Sequence, residues 1–287
     1  MRPDIVFVGG DLRTLVCANE LSDGKYTVGV YGLDEYEGNY GNPVKYDSLD
    51  DADGLLILPL PWSVDAIRIN CPLTKKEIRA DDVFKKAEGR TLLGGRFDKF
   101  ARELAVRHGV RLIDYFDREE TAVLNAVPTA EGALEIAIRE LNITVAGSKT
   151  LVLGYGRVGR MTASLFASVG ACVTVAARSR EQLAWAKASG CRTADIRDMR
   201  RELSEADIII NTVPQLILGE NEFAALSREK PLIDLASYPG CVSDGDAERF
   251  GVRLIRAPSL PGKTAPVTAG RIICESIKNI LSEEGYA

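Results

Sequence analysis

The sequence predicts an α/β protein of two doubly wound parallel-sheet domains facing a cleft, the second a Rossmann dinucleotide-binding domain. Three observations predict it. Short apolar runs alternate with amphipathic stretches along the whole chain, as strands and helices do when a parallel sheet is covered on both faces. Each half opens on a strand, a glycine turn and a helix, "VFVGGDLR" and "LVLGYGRVGR". The 287 residues are enough for two cores of ordinary size.

The N-terminal elements follow in order. "DIVFV" (4–8) is a buried strand ending at Gly9-Gly10, Leu12 to Leu21 is helical, and "TVGVY" (27–31) is a second strand. "GLLIL" (54–58) is a third, closed by Pro59 and Pro61. "RTLLGG" (90–95) and "VRLID" (110–114) flank "RFDKFARELAVRHG", an amphipathic helix stopped by Gly109. His108, the one histidine, stands at that helix end, where a cation caps the last carbonyls. In "PTAEGALEIAIREL" (128–141), Leu134, Ala137, Ile138 and Leu141 share a helical face. Pro128 and Thr129 suit a helix start, with Glu131 in the first turn.

The domain boundary is placed at that start. Residues 1–127 are expected to form a flavodoxin-like substrate domain and 128–265 a Rossmann NADP-binding domain. Residues 266–287 are expected to be a C-terminal helix packing back on the first domain. From Thr150 the strands are "TLVL", "CVTVAA", "DIIINT", "PLIDLA" and "VRLIRA", separated by helical segments.

Composition excludes several classes. With 46% hydrophobic and 27% charged residues the chain is ordinary for a soluble globular protein. A net charge of −5 argues against a broad nucleic-acid footprint. No apolar run approaches the ~20 residues that span a bilayer, and "MRPDIVFVGGDLR" reads as a first strand and not a signal peptide. The six cysteines include no C-x-x-C pair, which suits a reduced cytoplasmic protein without a metal site.

The chemistry-bearing motifs lie mostly in the second half. In "GYGRVG", Gly154 permits the tight turn, Gly156 lets backbone approach a pyrophosphate, and Gly159 allows close helix–strand packing. Arg157 and Val158 lie at the helix N-terminus, where N–H groups and the helix dipole favour an anion. An NAD site carries an Asp or Glu about 20 residues further on. Here "AARSR" offers Arg178 and Arg180 around Ser179, guanidinium groups that suit a 2′-phosphate. Ser179 also reads as a helix N-cap, with Gln182 completing a capping box. The expected cofactor is therefore NADP.

Ligands of doubly wound folds lie beyond the carboxyl ends of strands. That places Asn211, Thr212, Val213 and Pro214 of "NTVP" toward the nicotinamide half, with Asp234 either near the ring or hydrogen-bonded to backbone. "VGGDLR" imitates a dinucleotide turn but carries Asp11, whose carboxylate satisfies the helix end itself. A second nucleotide is not expected there. Arg13 and Arg96 are candidate cations for a substrate carboxylate, against a plain surface reading. "SLPGKTAPVTAG" sets Lys263, Thr264 and Thr268 in a loop before the last helix, where a lysine and hydroxyls suit an anion. A histidine-dependent 2-hydroxyacid dehydrogenase and a zinc alcohol dehydrogenase both lack their residues here.

With "FVGGDLR", "LNAVPTAEGALEIAI", "LVLGYGRVGRMTASL", "NTVP" and "LPGKTAPVTAG" present, the chain resembles the A-subunit family of dipicolinate synthase end to end. Val267 stands where that family's pattern has a lysine, and Gly94-Gly95-Arg96 where it has a glycine–lysine pair. The resemblance implies a cytoplasmic enzyme of the mother cell of spore-forming bacteria. It would form pyridine-2,6-dicarboxylate during sporulation from a dihydrodipicolinate-type ring of the lysine pathway, passing hydride to NADP⁺. The flavoprotein-like B subunit of dipicolinate synthase is the implied partner, in a homo- or hetero-oligomer, with no nucleic acid or membrane.

Two carboxylates on the substrate call for Arg13, Arg96 and Lys263, with Thr129, Thr264 and Thr268 as hydroxyl donors. Lys263, if desolvated, is the candidate catalytic residue, and water is the other proton acceptor. An NADP-dependent dehydrogenase of another small carboxylic acid, such as a shikimate-like one, and a non-catalytic NADP(H)-sensing protein of a complex are the alternatives.

Overall fold

The structure is a computed structural model and describes residues 3–22 and 25–286. The chain divides into two compact units, Met1–Leu124 with Ala265–Ala287, and Asn125–Thr264.

In the first unit the elements are β1 (Ile5–Val8), α1 (Leu12–Ser22), β2 (Val28–Tyr31), β3 (Val44–Tyr46), β4 (Leu55–Ile57), α2 (Ala80–Lys86), β5 (Thr91–Gly94), α3 (Lys99–His108) and β6 (Arg111–Asp114). The strands form one parallel sheet in the order β3-β2-β1-β4-β5-β6. Both faces are buried. Ile5 and Phe7 enter one core with Leu15 and Val30, while Val6 and Val8 enter the opposite core with Trp62 and Phe84. The five strands β2-β1-β4-β5-β6 keep a flavodoxin-like order, but β3 adds an edge strand beyond β2 and makes the whole sheet a dinucleotide-binding one in topology. This corrects the flavodoxin-like expectation. The strand was hidden because it is three residues long and barely buried, so it leaves no hydrophobic pattern to read.

The helix expected to start at Pro128 is longer than its signals. α4 runs Glu119–Glu140, with Pro128 inside it. A proline there cannot donate to the carbonyl four residues back, that of Leu124. The division between the two units falls directly after Leu124, three residues before the expected boundary.

In the second unit the elements are β7 (Lys149–Leu153), α5 (Arg157–Ser168), β8 (Cys172–Ala177), α6 (Arg180–Ala188), β9 (Arg192–Asp195), α7 (Arg200–Glu205), β10 (Ile208–Asn211), α8 (Glu220–Ala225), β11 (Leu232–Asp234), α9 (Asp244–Phe250), β12 (Leu254–Arg256) and α10 (Leu260–Thr264). The parallel order is β12-β11-β10-β7-β8-β9, the same winding as the first sheet. Val152 and Leu151 point into opposite cores, as successive strand residues must. The loop expected before the last helix folds instead as α10, a five-residue helix ending at Thr264.

The last helix, α11 (Pro266–Glu283), belongs to the first unit. Gly270 makes its close approach to α1 possible, since a Cβ there would stand 2.7 Å from the Arg13 carbonyl oxygen. Ile273, Cys274, Ile277, Ile280 and Leu281 complete the core that contains Leu15 and Cys17. Ion pairs of Arg271 with Glu20 at 2.8 Å and Arg118 with Glu283 at 2.7 Å hold its rim. The Ser276 hydroxyl donates to the Tyr115 carbonyl at 2.9 Å.

Candidate functional site

The glycine turn of the second unit is built from strand ends. Gly154 follows β7 with φ +89°, and its N–H donates to the Ala176 carbonyl at 2.8 Å. A Cβ on Gly154 would stand 2.6 Å from Thr212 Oγ1 and 2.9 Å from Val213 Cγ2. One on Gly159 would stand 2.4 Å from the Gly154 carbonyl oxygen. Both glycines are therefore demanded by packing within the turn. Gly156 is different: nothing lies within 4 Å of where its Cβ would be. It is the N-cap of α5, and no side chain caps that helix. An uncapped helix start leaves its first-turn N–H groups without intrahelical partners, an arrangement that suits an anion. Space without a side chain and uncapped N–H groups fit a pyrophosphate.

At the end of β8, Ser179 caps α6, its Oγ accepting from the Gln182 N–H at 3.4 Å. Arg178 and Arg180 are exposed and, among the described residues, neither has an ion pair. The next strand end does carry an acid, Asp195, but Arg197 neutralises it at 2.5 Å and holds its carboxyl at about 2.

The "NTVP" stretch ends β10. Thr212 Oγ1 donates to the Leu153 carbonyl at 2.8 Å and so ties this turn to β7. Asn211 and Asp234 are both buried, and their side chains are committed to the protein. Asn211 Nδ2 donates to the Val213 carbonyl at 3.0 Å and to Asp234 Oδ1 at 2.8 Å. Asp234 pairs with Arg256 at 2.7 Å. For Asp234 the backbone-bonded alternative holds, its carboxylate accepting from the Ala236 and Cys241 N–H groups at 3.1 and 3.2 Å. For Asn211 the expected cofactor contact is corrected, because its side chain is spent on holding loops, while Pro214 at the end of the stretch is exposed.

The expected substrate residues separate. Arg13 is 7% exposed and forms a two-pronged ion pair with Asp11, with Nε at 2.9 Å and Nη2 at 2.8 Å. Its Nη2 also donates to the Leu60 carbonyl. Arg13 is therefore neither a substrate cation nor a surface residue. Thr129 is buried and its hydroxyl proton goes to the Asn125 carbonyl at 2.8 Å, so it cannot also donate to a carboxylate. Thr264 Oγ1 is half-buried and faces Gly132, where a Cβ would stand 2.7 Å away. Lys263 and Thr268 are exposed, the first in the second unit and the second in the first. The desolvated surroundings that a lysine base needs are absent around Lys263. Arg96 is exposed with φ +62°, on a turn whose N–H donates to Asp114 Oδ1 at 3.1 Å. His108 ends α3 before left-handed Gly109, and its Nε2 lies 2.9 Å from Asp81 Oδ1.

Two residues escaped the sequence reading. Arg256 ends β12 and anchors the loop after β11, and Asn70 covers the first unit's glycine turn. A basic residue closing the apolar run "VRLIRA" was the available signal for the first; a loop residue such as Asn70 leaves none.

Comparison with known proteins follows the same division. Residues 4–116 match the family model for the N-terminal domain of the dipicolinate synthase A subunit. Residues 130–237 match that for the D-isomer specific 2-hydroxyacid dehydrogenase NAD binding domain. A crystal structure of the dipicolinate synthase A subunit from Bacillus halodurans is 30% identical, covers 96% of this chain and 97% of its own, and superposes with a TM-score of 0.88. This chain belongs to the A-subunit family of dipicolinate synthase.

Two further members of that family agree. The dipicolinate synthase A subunit of Bacillus subtilis (strain 168) is 28% identical over 97% of this chain and 96% of its own length. The crystal structure of the dipicolinate synthase A chain from Bacillus subtilis is 29% identical, covers 99% of this chain and 97% of its own, and has a TM-score of 0.86. The second unit is thus a dehydrogenase-type, nicotinamide-dinucleotide-binding domain. Among the described residues no helix is long and apolar enough to cross a membrane.

Proposed function

We propose that this chain is an NADP-dependent oxidoreductase that forms dipicolinate from a dihydrodipicolinate-type ring. What carries the reading is the open turn at Gly156 followed by two uncommitted guanidinium groups at Arg178 and Arg180, in a chain similar to the dipicolinate synthase A subunit over nearly its whole length. The α5 start takes the pyrophosphate; Arg178, Ser179 and Arg180 take the 2′-phosphate. A bound nicotinamide supplies a hydride acceptor. The dihydropyridine ring loses one hydride and one proton and becomes aromatic, which drives the reaction. The protein's own work is then orientation and charge, worth far more than a strong base would be. Lys263, exposed in the second unit, is the cation proposed to hold a substrate carboxylate; the proton passes to water. The names of the relatives imply a partner, and the flavoprotein-like B subunit of dipicolinate synthase is its proposed identity.

The test uses the purified chain, with and without the B subunit, given NADP⁺ and freshly prepared dihydrodipicolinate. NADPH and dipicolinate should form together in equal amounts. Neither product in either mixture would remove the proposal, and NADPH formed by the chain alone would remove a purely sensing role. Replacing Arg178 and Arg180 together by alanine should weaken NADP⁺ at least about tenfold while leaving NAD⁺ within about twofold. Equal losses would assign the cofactor differently.

A further inference from the structure

The residues that hold the loops beyond β10 and β11 form one connected polar network, joined at the last strand by Arg256. Its Nη1 donates to Asp234 Oδ2 at 2.7 Å and to the Pro239 carbonyl at 3.0 Å. Its Nη2 donates to the Val242 carbonyl at 2.7 Å and, with Nε at 3.0 Å, to Asp244 Oδ1. Asp234 is 1% exposed and fully occupied. Its Oδ1 accepts from Asn211 Nδ2 at 2.8 Å and the Ala236 N–H at 3.1 Å, and its Oδ2 also accepts from the Cys241 N–H at 3.2 Å. Asn211 passes the constraint on, accepting the Val213 N–H at 2.9 Å and donating to the Val213 carbonyl at 3.0 Å. The Val213 side chain lies against Gly154. Contact therefore runs without a break from the last strand of the sheet to the glycine turn of the first.

An ion pair of this kind is a poor source of stability, because desolvating the two charges offsets most of their attraction. What it does supply is fixed geometry. Gly240, at φ +74°, lets the loop pass directly over the pair, where a Cβ would stand 2.0 Å from Asp234 Oδ2 and 2.3 Å from Arg256 Nη1. The loop so held presents Tyr238, 88% exposed. In a doubly wound dinucleotide fold the strands on this side of β7 belong to the nicotinamide half, and those on the other side to the adenosine half.

We infer that Arg256 is a positioning residue for the nicotinamide half of the site: acting through Asp234 and Asn211, it fixes the 212–214 turn and the 235–243 loop. This rests on the dinucleotide reading of the second unit and adds the device that aims one end of it. The experiment compares two ligands, NADPH and adenosine 2′,5′-bisphosphate, which lacks the nicotinamide. Arg256→Lys keeps a charge for Asp234 but loses the carbonyl contacts. It should weaken NADPH at least about tenfold and leave adenosine 2′,5′-bisphosphate within about twofold. Asn211→Ala, which cuts the network while leaving the Arg256–Asp234 pair, should show the same split, so the test survives poor folding of the first variant. Asp244→Asn removes only the exposed outer contact and should change neither ligand.

Equal weakening of both ligands by Arg256→Lys and Asn211→Ala would mean a merely structural role, and no change in either would mean none; both overturn the inference. Should wild-type protein prefer NADH, the NADP assignment fails, but the same split measured with NADH and ADP-ribose carries the inference. Wild-type protein that binds neither dinucleotide overturns both.

Discussion

The two units are wound alike and do opposite things with their glycine turns. Both sheets follow one strand order, and in both the first strand runs through glycines into a helix. In the first unit that turn is filled by the chain itself. The Gly10 N–H donates to the Asn70 carbonyl at 2.8 Å, and a Cβ on Gly9 would stand 2.3 Å from Cys71 Sγ. Asp11 Oδ1 takes the Arg13 N–H at 3.0 Å, and the Arg13 guanidinium neutralises its carboxylate. In the second unit nothing beyond its own chain neighbours and helix backbone lies within 4 Å of a Cβ on Gly156, and no side chain caps α5. The lesson is that winding decides where a site can be, while occupancy of one turn decides whether it is one.

Three experiments would break or sharpen that contrast. The largest effect belongs to Asp11→Ala, which leaves the buried Arg13 guanidinium short of its main partner and should cost about 1–3 kcal/mol of stability in urea unfolding. Dinucleotide affinity should be unaltered; a parallel loss of affinity would break the contrast. Next is Gly156→Ala. Its φ of −80° and the open surroundings accept a methyl group, so the melting temperature should hold. Dinucleotide affinity should fall about tenfold or more, near 1.4 kcal/mol, and unchanged affinity would mean that the space is not the pyrophosphate's.

The smallest effect compares carboxylates at the two sheets' carboxyl edges. Asp234 faces a guanidinium, whereas Asp114 is held by the N–H groups of Arg96, Phe97 and Phe116, and burial pushes its carboxyl above the ordinary 3.8. A raised acid favours the folded state only while protonated, so its contribution is lost as pH rises from 3.8 through the folded value. Relative to Asp114→Asn, wild-type protein should therefore lose stability over that interval, measured by denaturant titration at several pH values. A flat difference would sink the assignment.

Sequence reading reached the elements whose signals are local. Strands such as "DIVFV" and "DIIINT" are continuous apolar runs, and Ser179 as an N-cap follows from its own side chain. The glycine roles at 154 and 159 were legible because a turn imposes them on itself. What could not be read was set by distant partners. Arg13 seemed free because nothing in "GGDLR" says that the helix start is buried and that Asp11 claims the guanidinium. Pro128 read as a start because proline suits the first turn of a helix, whereas α4 begins nine residues earlier, with Glu119 and Glu120 in its first turn. Asp234 was legible as a strand-end acid, but its neutralising partner lies 22 residues away.

The membership of α11 in the first unit has a consequence for biosynthesis. A chain leaves the ribosome from its N-terminus, and N-terminal domains ordinarily fold first. Here the core around Leu15 and Cys17 lacks Ile273, Cys274, Ile277, Ile280 and Leu281 until almost the whole chain has been made. The second unit, contiguous from Asn125 to Thr264, meets no such delay. The half synthesised first is thus the half finished last, and until then the apolar face of α1 is without its partner helix and within reach of chaperones.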